Sequence, residues 1–65
     1  SADRDVHIEA LIGLGKTLDD LGRPGEAQTY YKLLIDQYSG ISDPMVRGLV
    51  EEARIRYRQI RLIEG

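Results

Sequence analysis

The stretch LIGLGKTLDDLGRPGEAQTYYKLL, residues 11–34, contains two helix-forming segments separated by a turn. In its first half, leucines recur at spacings of three and four, which places them along one stripe of a helix. Gly22 and Pro24 then interrupt the pattern, because glycine commonly ends a helix and the fixed φ of proline suits a first helical turn. The stretch therefore predicts an antiparallel helix-turn-helix.

The flanking sequence extends this pattern to an all-α fold of three helices. The predicted helices cover about residues 3–21, 24–38 and 44–63. Asp3 and Asp43 are the expected N-caps of the first and third helices, because a carboxylate accepts hydrogen bonds from the free N–H groups of a first turn. No segment alternates with the period of two that indicates a strand.

Apolar residues at helical spacing indicate the faces that form the core. The predicted faces of the three helices are His7, Leu11, Leu14, Leu18 and Leu21; Ala27, Tyr30, Tyr31, Leu34 and Tyr38; and Val46, Val50, Ala53, Tyr57 and Ile60. The core between the first two helices is expected to contain Leu14, Gly15, Leu18, Ala27, Tyr31 and Leu34.

The chain has 65 residues, 42% of them hydrophobic, and no cysteine. It is apolar enough to fold as a single domain over residues 1–65, and packing must stabilise it without disulfides. It has no apolar run of membrane-spanning length and no signal-peptide pattern, which favours a cytoplasmic protein. Because it begins with Ser1-Ala2 instead of methionine, we expect it to be part of a larger protein.

Gly15-Lys16-Thr17 has the sequence that closes a phosphate-binding loop. Such a loop also needs a glycine five residues before Gly15 and a strand before the loop, but Ala10 occupies that position and the segment reads as continuous helix. The triplet is therefore interpreted as part of a helix, with Gly15 allowing a neighbouring helix to approach closely.

Residues for catalysis or cofactor binding are scarce. The chain has one histidine, His7, which lies at the edge of the first apolar stripe, and its serines have no base nearby in sequence. Asp19 and Asp20 point about 100° apart on a helix, which is poor geometry for one metal ion. We expect no catalytic residue, no cofactor and no metal site, and hence no enzyme.

The hairpin resembles a tetratricopeptide repeat, whose pattern is W-x-x-L-G-x-x-Y followed by A-x-x-x-F. The matching residues are Leu11, Leu14, Gly15, Leu18, Gly22, Ala27, Tyr31 and Leu34. Leucine replaces the tryptophan and the first tyrosine, and Ser39 stands where a proline is expected. The third helix resembles the first helix of a second, incomplete repeat or a terminal cap, which gives about one and a half repeats of a bacterial type.

This resemblance implies a scaffold that holds a peptide or protein segment in a groove lined by the first helix of each repeat. The groove residues carried over from the resemblance are Glu9, Ile12, Lys16, Asp19, Asp20, Ile55 and Gln59. Some family members clamp a terminal carboxylate, and Lys16 is the one candidate for that role. Asp19 and Asp20 disfavour an acidic ligand, so we expect a neutral or mildly basic segment.

The alternative function is nucleic-acid binding. Residues 44–65 carry a net charge of +2, and residues 1–43 a net charge of −4. In the third helix, four arginines with helical spacing form a ridge that could contact phosphates: Arg47, Arg54, Arg58 and Arg61. Arg54 and Arg58 could equally pair with Glu51 and Glu52, and the acidic first half would repel a polyanion.

The third helix also carries more apolar residues than one face can hold. At 100° per residue, these residues cannot all point towards the other two helices: Ile55, Tyr57, Ile60, Leu62 and Ile63. We expect the remaining apolar surface to be covered by a second copy of the chain in a homodimer.

Overall fold

The computed structural model describes the backbone of residues 2–64 and the side chains of residues 2–63. It contains three α-helices: α1 (Ala2–Asp20), α2 (Pro24–Tyr38) and α3 (Pro44–Glu64). The described residues contain no strand, which confirms the predicted all-α fold. Each helix begins and ends within one residue of the predicted position.

The turn between α1 and α2 is built around Gly22. This residue adopts a φ of +75°, a conformation that glycine enters without a Cβ clash. The Gly22 amide donates to the Asp19 carbonyl at 3.1 Å, and the Arg23 amide donates to the Leu18 carbonyl at 2.9 Å. These two bonds form a Schellman motif, which satisfies the last carbonyls of α1 and turns the chain into α2.

Asp43 caps α3 as predicted. Its Oδ1 atom accepts a hydrogen bond from the Met45 amide at 2.9 Å and another from the Val46 amide at 3.3 Å. Asp3 does not have the equivalent role, because α1 already includes Ala2 and therefore places Asp3 within its first turn. There, its negative charge interacts favourably with the helix dipole.

Contacts between the helices show their relative directions. His7 meets Tyr38 and Gly15 meets Tyr31, so α1 and α2 run antiparallel. Lys16 meets Glu52, and Arg4 lies 3.6 Å from Asp43. The partners in α3 thus follow those in α1 in the same order, and these two helices run parallel. The central helix α2 packs extensively on both, while α1 and α3 touch each other less.

The core lies where the three helices meet. Its buried hydrophobic residues are Ile8, Leu11, Ile12, Ala27, Tyr31, Leu34, Val46, Val50, Ala53 and Ile60. Partly buried hydrophobic residues surround it, including Leu18, Tyr30, Tyr38 and Tyr57. The predicted faces of α2 and α3 are therefore the ones that pack inward.

The predicted buried face of α1 is wrong, because the helix is rotated about its axis relative to the prediction. Ile8 and Ile12 are buried, whereas His7, Leu14 and Leu21 are exposed. The reason is that α1 contacts α3 as well as α2, so its buried face turns towards the seam between those two helices. Leu14 is consequently not part of the core between α1 and α2.

Two further predictions fail because of burial. Ile12 was expected to line a ligand groove, and Ile60 to mediate self-association, but each is only 5% exposed. Ile12 belongs to the core cluster and lies one helical turn before Lys16, which contacts Glu52 in α3. Ile60 continues the stripe formed by Val46, Val50 and Ala53. Both side chains are used by the core and cannot contact a partner.

Candidate functional site

Three charged side chains form a network of ion pairs between α1 and α3. Lys16 Nζ lies 2.8 Å from Glu52 Oε2, and Arg56 Nε donates to the same oxygen at 3.2 Å. The hydrogen bond from Lys16, supported by the one from Arg56, lowers the pKa of Glu52 below its ordinary value of 4.5. We call Lys16, Glu52 and Arg56 the ionic bridge.

The ionic bridge changes the role expected of Lys16. A lysine that clamps the carboxylate of a ligand must present its ammonium group to that ligand, but here the group is paired with Glu52. Lys16 also follows Gly15 in the middle of a regular helix. Its contact therefore joins two helices of the same chain.

Tyr31 lies beneath the ionic bridge. Its side chain is fully buried, and its Oη atom has no hydrogen-bond partner among the described residues. Burial raises the pKa of Tyr31, which keeps the phenol protonated. Tyr31 thus contributes a large ring to the core, and the charged groups of Arg56 and Glu52 lie above it.

The predicted groove is divided between two helices. Ile55 and Gln59 line a shallow hollow of about 470 Å³ on the outer surface of α3. The other residues around this hollow are Gly48, Glu51, Glu52 and Arg56, which also belong to α3. We call it the α3 hollow. Gly48, two helical turns before Ile55, adds no side chain to its surface.

The predicted groove residues of α1 do not line the α3 hollow. Glu9 and Asp20 are exposed on α1, and Asp19 is half-buried, where its charge acts on Tyr31. Lys16 of α1 contacts the edge of the hollow through its ion pair with Glu52. The sequence did not single out Glu51 or Gly48 as binding residues.

Three arginines of the predicted ridge border a second concave surface. Arg54, Arg58 and Arg61 line a cleft of about 640 Å³ between α2 and α3, whereas Arg47 does not. The remaining lining residues are Lys32, Ile35, Tyr57 and Leu62. The pairing suggested for Arg54 and Arg58 with Glu52 is wrong, because Glu52 binds Lys16 and Arg56 instead. We call this surface the basic cleft.

His7 joins the start of α1 to the end of α2. Its Nδ1 atom lies 2.5 Å from Tyr38 Oη, and the two rings meet edge to face with centroids 5.7 Å apart. This agrees with the interpretation of His7 as a residue at the edge of the core. This contact joins α1 and α2 at the end of the helical hairpin opposite the turn at Gly22.

Two kinds of feature are absent from the described residues, 2–64. No helix among them has the length and apolarity needed to cross a membrane. They contain no group of three histidine, aspartate or glutamate side chains placed to hold a metal ion. The sequence matches no protein-family model, and no curated protein or solved structure shows significant similarity to it.

Proposed function

We propose that the chain is a non-catalytic interaction module that binds a peptide or protein segment at the α3 hollow. The observation that carries this proposal is the position of Ile55, which is 44% exposed among the polar residues that line the hollow. An accessible apolar side chain with a polar rim is typical of a site that buries an apolar group of a partner.

The chemistry around Ile55 suggests the kind of segment that would bind. The amide of Gln59 can donate and accept hydrogen bonds, as the backbone of an extended peptide requires. Glu51 adds a negative charge, while the charge of Glu52 is compensated by Lys16 and Arg56. A neutral or mildly basic segment with one aliphatic side chain fits this surface best.

The tetratricopeptide resemblance supports the same assignment. In that family, ligands lie in a groove lined by the first helix of each repeat, and α3 corresponds to such a helix. Ile55 and Gln59 were assigned to the groove from this resemblance, and both line the α3 hollow. We propose that the module acts in the cytoplasm.

Peptide selection followed by substitution tests this function. Peptides selected from a random library on the immobilised chain are measured by fluorescence anisotropy against wild type, Ile55→Ala and Leu14→Ala. Leu14 is a matched control, because it is similarly exposed but lies on α1. We expect Ile55→Ala to weaken binding about tenfold and Leu14→Ala to leave it unchanged.

The proposal is wrong if the selected peptides bind Ile55→Ala as tightly as wild type. Circular dichroism of each variant establishes that the fold is retained. A variant with reversed charges at Glu9 and Asp20 provides a further comparison. A ligand that extends from the α3 hollow onto α1 should bind this variant more weakly than wild type. A ligand confined to α3 should not.

We also propose that the chain forms a homodimer through the end of α3. Leu62 and Ile63 are 77% and 84% exposed, which makes them the most exposed large hydrophobic residues of the described chain. Two adjacent side chains of this kind favour association with another apolar surface. Of the four residues predicted for self-association, these two carry the proposal, because Ile60 is buried and Tyr57 is half-buried.

A further inference from the structure

The basic cleft combines charge with an apolar floor. Its four cationic residues are Lys32, Arg54, Arg58 and Arg61, and its apolar surface comes from Ile35, Tyr57 and Leu62. The volume of about 640 Å³ is in the range of sites that hold several side chains or a small ligand. No residue of this cleft also lines the α3 hollow.

The positive charge of the cleft is mostly uncompensated. Lys32 forms an ion pair with Asp36 at 2.9 Å. Within residues 2–63, no carboxylate forms an ion pair with Arg54, Arg58 or Arg61. Three guanidinium groups therefore line one surface without a carboxylate partner among residues 2–63, and each can donate hydrogen bonds to an anion.

We propose that the basic cleft binds an acidic peptide segment that carries an aromatic or aliphatic side chain. Guanidinium groups bind carboxylates through paired, charge-assisted hydrogen bonds. The apolar side chain of the segment packs on Tyr57 and Ile35. This site is independent of the α3 hollow, which differs from it in lining residues and in preferred charge.

Charge distribution favours a peptide over a nucleic acid as the occupant. The arginine ridge includes Arg47, which lies about two helical turns before Arg54 and outside the cleft. A nucleic-acid backbone is a continuous polyanion and would use the whole ridge, but it would also meet the net charge of −4 on residues 1–43. A short acidic segment fills the cleft and avoids that repulsion.

The test uses a fluorescein-labelled peptide that has glutamates on both sides of a central phenylalanine. Its binding to the chain is measured by fluorescence anisotropy at low protein concentration and two salt concentrations. We expect binding that weakens with salt, and an affinity loss of about tenfold or more for an Arg54→Gln, Arg58→Gln double variant. Arg47→Gln is the matched control on the same helix and should bind as wild type does.

Two further probes examine the components of the interaction. Replacing the phenylalanine of the peptide by glycine should reduce affinity, and replacing its glutamates by lysines should abolish binding. The proposal is overturned if the double variant binds as wild type does. It is also overturned if a single-stranded oligonucleotide binds more tightly than the peptide, and if Arg47→Gln weakens oligonucleotide binding as much as the double variant does. Ile55→Ala should not change the affinity for the acidic peptide. The proposals for the basic cleft and the α3 hollow are therefore tested separately.

Discussion

The ring of Tyr31 lies directly against the backbone of Gly15, so that α1 and α2 cross without a side chain between them. A β-carbon placed on Gly15 would lie 2.8 Å from Cδ1 and 2.9 Å from Cζ of Tyr31, and closer still to Cε1. Real β-carbons essentially never approach other atoms this closely. The glycine that resembles part of a phosphate loop is therefore required by helix packing.

Gly15→Ala should destabilise the protein even though alanine is the better helix former. The buried Tyr31 ring cannot move aside without disturbing the core, and overpacking of this kind costs about 1–3 kcal/mol. The gain in helix propensity offsets about 1 kcal/mol of that cost. We expect a lower melting temperature, measured by circular dichroism.

Gly13→Ala provides the control for this experiment. Gly13 lies in the same helix, and a β-carbon there would have no neighbour within 4 Å. This substitution should raise stability by up to about 1 kcal/mol. If Gly15→Ala stabilises the protein as much as Gly13→Ala does, the close crossing at Tyr31 is incorrect.

Tyr31→Phe should retain or increase stability. The Tyr31 hydroxyl is buried without a hydrogen-bond partner among the described residues, so its removal eliminates a desolvation cost while the ring remains in place. We expect a gain of about 1 kcal/mol or less in the free energy of unfolding, measured by urea denaturation. A loss above that size would show that the hydroxyl forms a stabilising bond, with Arg56 as the nearest candidate.

The ionic bridge should make stability depend on pH. The pKa of Glu52 is lower in the folded state than its ordinary value of 4.5, so its stabilisation is present above that value and is lost as pH falls through the folded-state pKa. Because about a third of each side chain is exposed, we expect Glu52→Gln to cost about 1 kcal/mol or less at neutral pH.

Thermal unfolding of wild type and Glu52→Gln between neutral pH and about pH 3 measures this contribution. The difference in melting temperature should shrink as the pH falls. Lys16→Gln and the double variant complete a cycle that isolates the coupling of the pair. A difference that is constant with pH, or a coupling of zero, would contradict the role assigned to the bridge.

The two exposed residues at the end of α3 should control self-association. A Leu62→Asp, Ile63→Asp variant should be folded and monomeric in sedimentation equilibrium, whereas wild type should form dimers. Ile60→Asp should instead unfold the protein, because its side chain is 5% exposed and a buried charge is costly. Dimers that persist in the double variant would place the interface elsewhere.

The sequence was sufficient to predict the helices and the turns, because their signals are local. Gly22 and Asp43 show this, since each acts on backbone groups within four residues of itself. The buried faces of α2 and α3 were also predictable, because their apolar stripes are unbroken. The face of α1 was not, because both Leu14 and Ile12 fit a helical stripe and only the position of α3 decides between them.

The ion pair beside the candidate site depends on contacts between helices, which local sequence signals do not determine. Ile55 and Gln59, which the family resemblance assigned to a groove, line the α3 hollow. The pairing of Lys16 with Glu52 depends on how parallel α1 and α3 are aligned along their axes. The structure joins residues 36 positions apart, Lys16 and Glu52, and this offset is set by packing on α2.

The most direct test of the proposed binding function is a titration of the ¹⁵N-labelled chain with a selected peptide, followed by NMR. The account predicts that the largest chemical-shift changes occur at the amides of Gly48, Glu51, Ile55 and Gln59, around the α3 hollow. Amides near exposed Leu14 and Leu21 on α1 should change little. Changes centred on those leucines, with the amides around Ile55 unaffected, would contradict the assignment of the α3 hollow as the binding site.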